Sequence, residues 1–225
     1  FKLWERLASL EKEPLKKRAI SLETQRVIRA EKLLMESCAI NFMARSDKDK
    51  FKDLGIEVPN YRETKHLGTD AWVMLPNIEF SATEKCLFYM GSLSWPANSD
   101  GLVWFFKEVW PILLKDEPDL KFKLLGKGMK RELKKQVKKW PQIELLGYAE
   151  EPEKIMEHCR LGVVPLRYGS GMKIKVLDNM YRGLPMVTTP VGAEGIDIEN
   201  GKQLSGQETA AEFAKEAVRL LNEEK

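Results

Sequence analysis

The stretch LGVVPLRYGSGMKIKVLDNMYRGLPMVTT, residues 161–189, decides the fold class. LGVVPL (161–166) is an apolar run of buried-strand length, and Gly169-Ser170-Gly171 makes a turn. The apolar spacing then predicts a helix from about Gly171 to Arg182, and PMVTT (185–189) is a second strand. The same alternation extends both ways. Upstream lie CLFYMG (86–91), a Pro/Asn/Ser/Asp turn and a helix from about Ser99 to Lys115, with Leu102, Phe105, Phe106, Val109 and Leu113 as its stripe and Pro111 expected to kink it. KFKLLG (121–126) is the next strand, then a Lys-rich helix with Met129, Leu133, Val137 and Trp140 on one face, IELLG (143–147) and a short helix at 152–158. Downstream, a Gly-rich loop leads to a terminal helix with Phe213, Ala217, Leu220 and Leu221 inward. Strands that are apolar throughout, alternating with helices, form a parallel sheet covered on both faces, an α/β domain.

The N-terminal part is different. Leu3, Leu7 and Leu10 mark one helix, and Val27, Ile28, Leu33 and Leu34 a second from about Leu22 to Glu36. CAINFM (38–43) reads as a short strand, SDKDKFKDLG as a short helix opened by Ser46 and Asp49, and AWVMLP (71–76) as another strand. We therefore expect residues 1–80 to supply two strands and 81–225 a complete domain.

Composition is that of a globular chain: 225 residues, 43% hydrophobic, 32% charged, net charge +3. That excludes a disordered tail, a collagenous repeat and a disulfide-stapled miniprotein, and argues for no nucleic-acid partner. Cys38, Cys86 and Cys159 lie in or beside apolar runs without CxxC spacing, so buried free thiols and a reducing, cytoplasmic setting are expected. No apolar run spans a bilayer, and FKLWERLASLEKE is no signal peptide. The first residue is Phe1, which reads as a cut edge.

In an open parallel sheet, ligands sit at the carboxyl ends of the strands. Four such ends carry small residues: Gly91-Ser92, Gly126-Lys127-Gly128, Gly147-Tyr148 and the segment from Arg167 to Gly171. Backbone N–H groups of Gly171 and Met172 at a helix start would face an anion, with Arg167, Lys173 and Lys175 nearby. Asp178, three residues after Lys175, shares its helix face and suits a sugar hydroxyl pair. A tight turn followed by a solvated Lys/Asp pair fits the same residues, so both readings stand. Neither GxGxxG after a strand nor GxxxxGK[ST] occurs.

These residues also carry a family resemblance. VPLRYGSGMKIKVLDNMYRGLPMVTTPVGAEGI (164–196) resembles the donor-binding segment of group 1 glycosyltransferases, a retaining family with the glycosyltransferase B fold. FYMGSLSWPANSDGLVWFFKEVWP (88–111) and LLGKGM (124–129) resemble its first two donor-domain elements, and residues 1–80 look like the last helix and strands of its first domain. The resemblance implies a Rossmann-like donor domain at 81–225 and a partial N-terminal α/β remnant at 1–80. It places Gly91 and Ser92 against the donor diphosphate and Tyr148 at the nucleobase, and Gly126 counts among the substrate-binding residues. Ser170 and Asp178 fall on the family's acidic pair, at sugar and ribose. Gly171 and Met172 would hold phosphates by their backbone. The basic pair that follows the first donor strand in many members is missing from SLSWPAN, so Arg167, Lys173 or Lys175 must supply that charge.

The implied activity is transfer of a sugar from a nucleoside-diphosphate sugar to a glycan or lipid-linked acceptor, with basic side chains and a helix start stabilising the leaving group and without a metal or other cofactor. His66 lies in a polar loop, and His158, before a buried strand, reads as structural. The family's glycine-rich acceptor loop has no counterpart, so we expect a donor-binding part that does not turn over alone. A non-catalytic module that kept the fold is the alternative; an epimerase of similar architecture would need acid/base groups that do not show. The seven cations Lys127, Lys130, Arg131, Lys134, Lys135, Lys138 and Lys139 against Glu132 suggest a solvated face or weak peripheral contact with anionic lipid at the inner membrane surface. The two-strand remnant should expose a sheet edge that a second copy could cover.

Overall fold

The computed structural model describes residues 1–64, 70–196 and 205–223. They group into two compact units: Phe1–His66 with Tyr168–Met172 and Glu194–Ile196, and Leu67–Arg167 with Lys173–Ala193 and Asp197–Lys225. His66 lies outside the described residues.

The first unit contains α1 (Lys2–Leu10), α2 (Pro14–Ser37), β1 (Asn41–Met43), α3 (Arg45–Asp53) and β2 (Tyr61–Glu63). Pro14 stands at the first position of α2, where its missing N–H costs nothing. β1 and β2 pair in parallel, Asn41 opposite Tyr61 and Met43 opposite Glu63. The second strand is thus a polar triplet, not the expected AWVMLP. Buried Asn41 fixes the pair to the helix, its Nδ2 donating to Met35 O at 2.9 Å and Pro59 O at 2.8 Å. The core is thin. Ala8, Met35 and Phe51 are buried, whereas Leu15, Leu22, Leu33, Leu34 and Phe42 are exposed.

The second unit opens with α4 (Asp70–Val73), a single helical turn where a strand was expected. An apolar run of six residues has no period that separates strand from helix. Here the chain is held locally instead: Arg182 Nη1 donates to Pro76 O at 2.7 Å, and Ile78 N to Arg182 O at 2.8 Å. Trp72 and Ile78 pack with Cys86 and Phe88, so this segment lies against the larger sheet without adding a strand to it.

That sheet comprises β3 (Glu84–Met90), β4 (Lys121–Leu125), β5 (Ile143–Gly147), β6 (Cys159–Val164), β7 (Met186–Thr188) and β8 (Ser205–Gly206). The described strands run in the order β5-β4-β3-β6-β7-β8, every neighbouring pair parallel. Between them run α5 (Pro96–Trp104), α6 (Trp110–Asp116), α7 (Arg131–Val137), α8 (Pro152–Met156), α9 (Ile174–Tyr181) and α10 (Pro190–Ala193), and α11 (Ala210–Asn222) follows the last strand. Alternate residues of β3 serve opposite layers. Leu87 and Tyr89 join Phe105, Phe106, Trp110, Phe122 and Phe213 on one face. Cys86 and Phe88 join Leu125, Met156, Cys159 and Leu184 on the other. Burial on both faces explains why these strands read as continuous apolar runs.

The expected irregularity before Pro111 is a π-helical turn at Phe105–Val109 between α5 and α6. Proline has no N–H for the preceding turn, and a widened turn relieves that mismatch. α7 turns Leu133 into the core, with Met129, Val137 and Trp140 packed alongside, as its spacing predicts. α11 begins with a capping box between Thr209 and Glu212.

Cys86 and Cys159 are fully buried, their sulfurs 3.8 Å apart on adjacent strands, but Cys38 is exposed, contrary to the reading of three buried thiols. Cys38 stands just after α2, where the helix end turns it outward. A thiol reagent such as DTNB should therefore label one cysteine in the native protein and all three after unfolding.

Candidate functional site

In the second unit, β3 leads to β4 and β5 on one side, after which the chain returns to β6 on the other side of β3. The carboxyl ends of β3 and β6 therefore flank the point where strand order reverses, the place where an open α/β sheet leaves a crevice. Gly91 follows β3, and Arg167 and Lys175 follow β6 on the way into and within α9.

The β3 end is stapled from several sides. Gly91 N donates to Leu125 O at 3.1 Å and Leu93 N to Lys127 O at 2.9 Å. Asn98 Nδ2 donates to Ser92 O at 2.8 Å, and the Ser92 and Ser94 hydroxyls lie 2.9 Å apart. Into this frame comes Lys175. Its Nζ donates to Tyr89 Oη and Asn98 Oδ1, each at 2.8 Å. A Cβ on Gly91 would lie 2.8 Å from that nitrogen, so glycine lets the amino group reach the strand end. Desolvation, helped by the Lys173 charge, pulls the Lys175 pKa down to about 7, and burial pushes the Tyr89 phenol up. An ammonium here is poorly solvated and gains from an anion set beside Gly91.

Gly126 is equally constrained. Its φ is +152°, and a Cβ would stand 2.0 Å from Gly91 O, so the β3 and β4 ends approach backbone to backbone. Gly91, Ser92, Gly126, Lys127, Gly147 and Tyr148 line one cleft of about 400 Å³. Lys127 Nζ sits 4.5 Å over the Tyr148 ring, which is itself exposed. Four residues singled out from sequence (Gly91, Ser92, Gly126 and Tyr148) thus meet in one place.

Arg167 makes a two-pronged pair with Asp100 of α5, Nε to Oδ2 at 2.8 Å and Nη2 to Oδ1 at 2.6 Å. Asp178 is buried on α9, one turn beyond Lys175. α9 starts at Ile174 with Lys173 as its cap residue, not at Gly171. Gly171 and Met172 are consequently not first-turn residues, and Gly171 has the left-handed φ of +72° that suits glycine.

Ser170, Gly171 and Met172 belong to the first unit. There Ser170 and Gly171 line a cleft of about 350 Å³ with Met43, Asp47, Lys50 and Phe51. Arg6 ties their segment down by donating to Gly169 O at 2.6 Å and to both oxygens of Glu194 at 2.7 and 2.8 Å. Lys50 stands 3.1 Å from the same carboxylate. Burial alone would raise the Glu194 pKa, but the Arg6 and Lys50 hydrogen bonds outweigh it and hold it below the usual carboxylate range.

Sequence reasoning missed Tyr89 and Asn98 as partners of Lys175, and Asp100 as the partner of Arg167. Tyr89 left one signal, since a tyrosine in a buried strand must find a partner for its hydroxyl. His158 is exposed, 3.9 Å from Glu157. Among the described residues no group of three or more His, Cys, Asp and Glu side chains is placed to hold a metal, and no helix is long and apolar enough to cross a membrane.

A parallel sheet with this reversal of strand order, covered by helices on both faces, defines a Rossmann-like domain. The chain belongs to the group 1 glycosyl transferases, whose family model matches residues 84–223. A curated relative, an uncharacterized 44.6 kDa protein in the cps region of Klebsiella pneumoniae, is 31% identical over 139 residues, 59% of this chain and 36% of that protein. The chain thus spans about a third of that relative's length. A variant of S. aureus TarM, in complex with fondaparinux, alpha-GlcNAc-glycerol and UDP, superposes with a TM-score of 0.69 at 18% identity, covering 84% of this chain and 38% of that one. HepE of Anabaena, in complex with UDP and glucose, gives 0.69 at 14%, covering 88% and 58%. At such identities the likeness is one of fold, that of the glycosyltransferase B enzymes.

Proposed function

We propose that this chain is the donor-binding part of a retaining glycosyltransferase that moves a sugar from a nucleoside-diphosphate sugar to a glycan or lipid-linked acceptor. The observation that carries the reading is the Lys175 amino group, held by Tyr89 and Asn98 beside Gly91. It puts a cation at the strand end where the sequence SLSWPAN lacks one. The UDP complexes of the TarM variant and HepE support a nucleotide donor.

In such a transfer the bond from C1 of the sugar to the β-phosphate oxygen breaks, an acceptor hydroxyl oxygen bonds C1, and the hydroxyl proton passes to the departing diphosphate. Negative charge grows on the leaving diphosphate, and a desolvated ammonium stabilises it more strongly than one in water would. Asp178 would take the ribose hydroxyls, and the Tyr148 cleft the base. No metal or other cofactor enters. Arg167 is already paired with Asp100, and this favours the second reading, a module that kept the fold without the donor site.

A thermal-shift panel of UDP-, GDP-, ADP- and dTDP-sugars tests the proposal. At ten times Kd one of them should raise the Tm by about 3–5 °C. Asp178→Asn, which keeps the side chain's shape, should weaken that ligand about 10- to 100-fold. No shift with any member would instead support the non-catalytic reading.

A further inference from the structure

The segment from Lys127 to Lys139 holds seven basic residues and one acidic, a net charge of +6 in a chain whose total is +3. The remainder of the protein is therefore slightly negative and repels an anion. Among the described residues no carboxylate pairs with any of the seven, and the local acid, Glu132, is held by Lys107 at 2.9 Å. Like charges such as Arg131 and Lys135, or Lys134 and Lys138, stand four residues apart, a spacing that weakens a helix. α7 packs through Leu133 and Val137 while the cations face solvent, so the packing of the helix does not call for six surplus charges.

The strip also has a definite starting point. Lys127 lines the cleft at the β3, β4 and β5 ends, its amino group over the Tyr148 ring, and α7 continues from there for about 10 Å. Cations leading to a cleft mouth focus the field and raise the encounter rate of an oppositely charged ligand. A lipid surface fits less well. Interfacial helices bury an apolar face in the headgroups, and the apolar face of α7 is already in the core.

We propose that the strip from Lys127 along α7 is an electrostatic funnel that guides the anionic nucleotide sugar into the Tyr148 cleft, acting on the association rate and not on the bound contact. This rests on the donor-binding reading above. The test is stopped-flow binding of mant-labelled UDP and GDP to the wild-type chain, to Lys134→Glu/Lys135→Glu/Lys138→Glu and to the milder Lys134→Gln/Lys135→Gln/Lys138→Gln, each shown to melt cooperatively.

At about 20 mM salt, where charges act over about 20 Å, the Glu variant should associate about tenfold more slowly and the Gln variant about threefold, with dissociation rates within about twofold of wild type. At about 300 mM salt, where the range falls to about 6 Å, the differences should shrink below about twofold. Unchanged association rates, or a loss carried by dissociation, would overturn the funnel and leave the donor site standing. Retention on phosphatidylglycerol vesicles that the Glu variant loses, with association unchanged, would overturn it in favour of a membrane contact. A wild-type chain that binds neither nucleotide would overturn both proposals.

Discussion

Lys175→Met should raise the Kd for the tightest-binding nucleotide sugar by about 30- to 100-fold, the loss expected when a charge-assisted hydrogen bond to phosphate is removed. The same substitution should remove a pH dependence. In the free protein the Lys175 pKa lies at about 7, against 10.5 for an ordinary lysine, because its amino group is desolvated. A bound diphosphate favours the ammonium and raises that value. Binding therefore takes up almost no proton at about pH 6 and approaches one proton above about pH 8. Calorimetry in two buffers of different ionisation enthalpy reads this directly, with a UDP-sugar as probe because its diphosphate does not titrate near neutrality. Proton uptake that persists in Lys175→Met would assign it to another group.

Stability follows the opposite course. Below pH 7 folded and unfolded chains both carry the proton, and the folded chain bears the full desolvation cost. Between pH 7 and 10.5 the unfolded chain holds a proton that the folded one has lost. The contribution of Lys175 to stability thus rises with pH across that window, measured as the difference between wild type and Lys175→Met in urea.

Gly126→Ala should destabilise the protein by about 3–5 kcal/mol, the sum of a strained backbone and an overpacked contact. A φ of +152° disfavours any side chain, and the added methyl would meet Gly91 O at 2.0 Å. Relief would require the β3 and β4 ends to part, which also displaces the loop stapled around Ser92. The urea midpoint should fall with an unchanged m-value, and nucleotide-induced stabilisation should be lost with it. A variant with wild-type stability would show that the strand ends yield more readily than their geometry implies.

How much of this was legible in advance depended on whether the signal was local. The alternation from CLFYMG to PMVTT could be read because each strand is buried on both faces and each helix on one, so the periods show in the residues themselves. AWVMLP misled because six apolar residues fit either element, and the partner of β1 was missed because Tyr61–Glu63 is short and polar. The helix after Ser170 begins at Ile174, three residues beyond the start that its composition suggests. Gly171 suits a helix start by composition, but its left-handed φ belongs to the turn.

The candidate site divides along the same line. Gly91, Gly126 and Tyr148 could be found because small residues after buried strands mark the ligand edge of a parallel sheet. The amino acid sequence alone determined the fold class, the family and that edge, all of which rest on patterns a few residues long. Tertiary structure alone decided how the charges are used. Lys175 meets Tyr89 and Asn98 across separations of 86 and 77 residues, and Arg167 meets Asp100 across 67. Only the order in which strands join the sheet brings such pairs within hydrogen-bond reach, and that contact sets which cation is neutralised by a carboxylate and which is left desolvated beside Gly91.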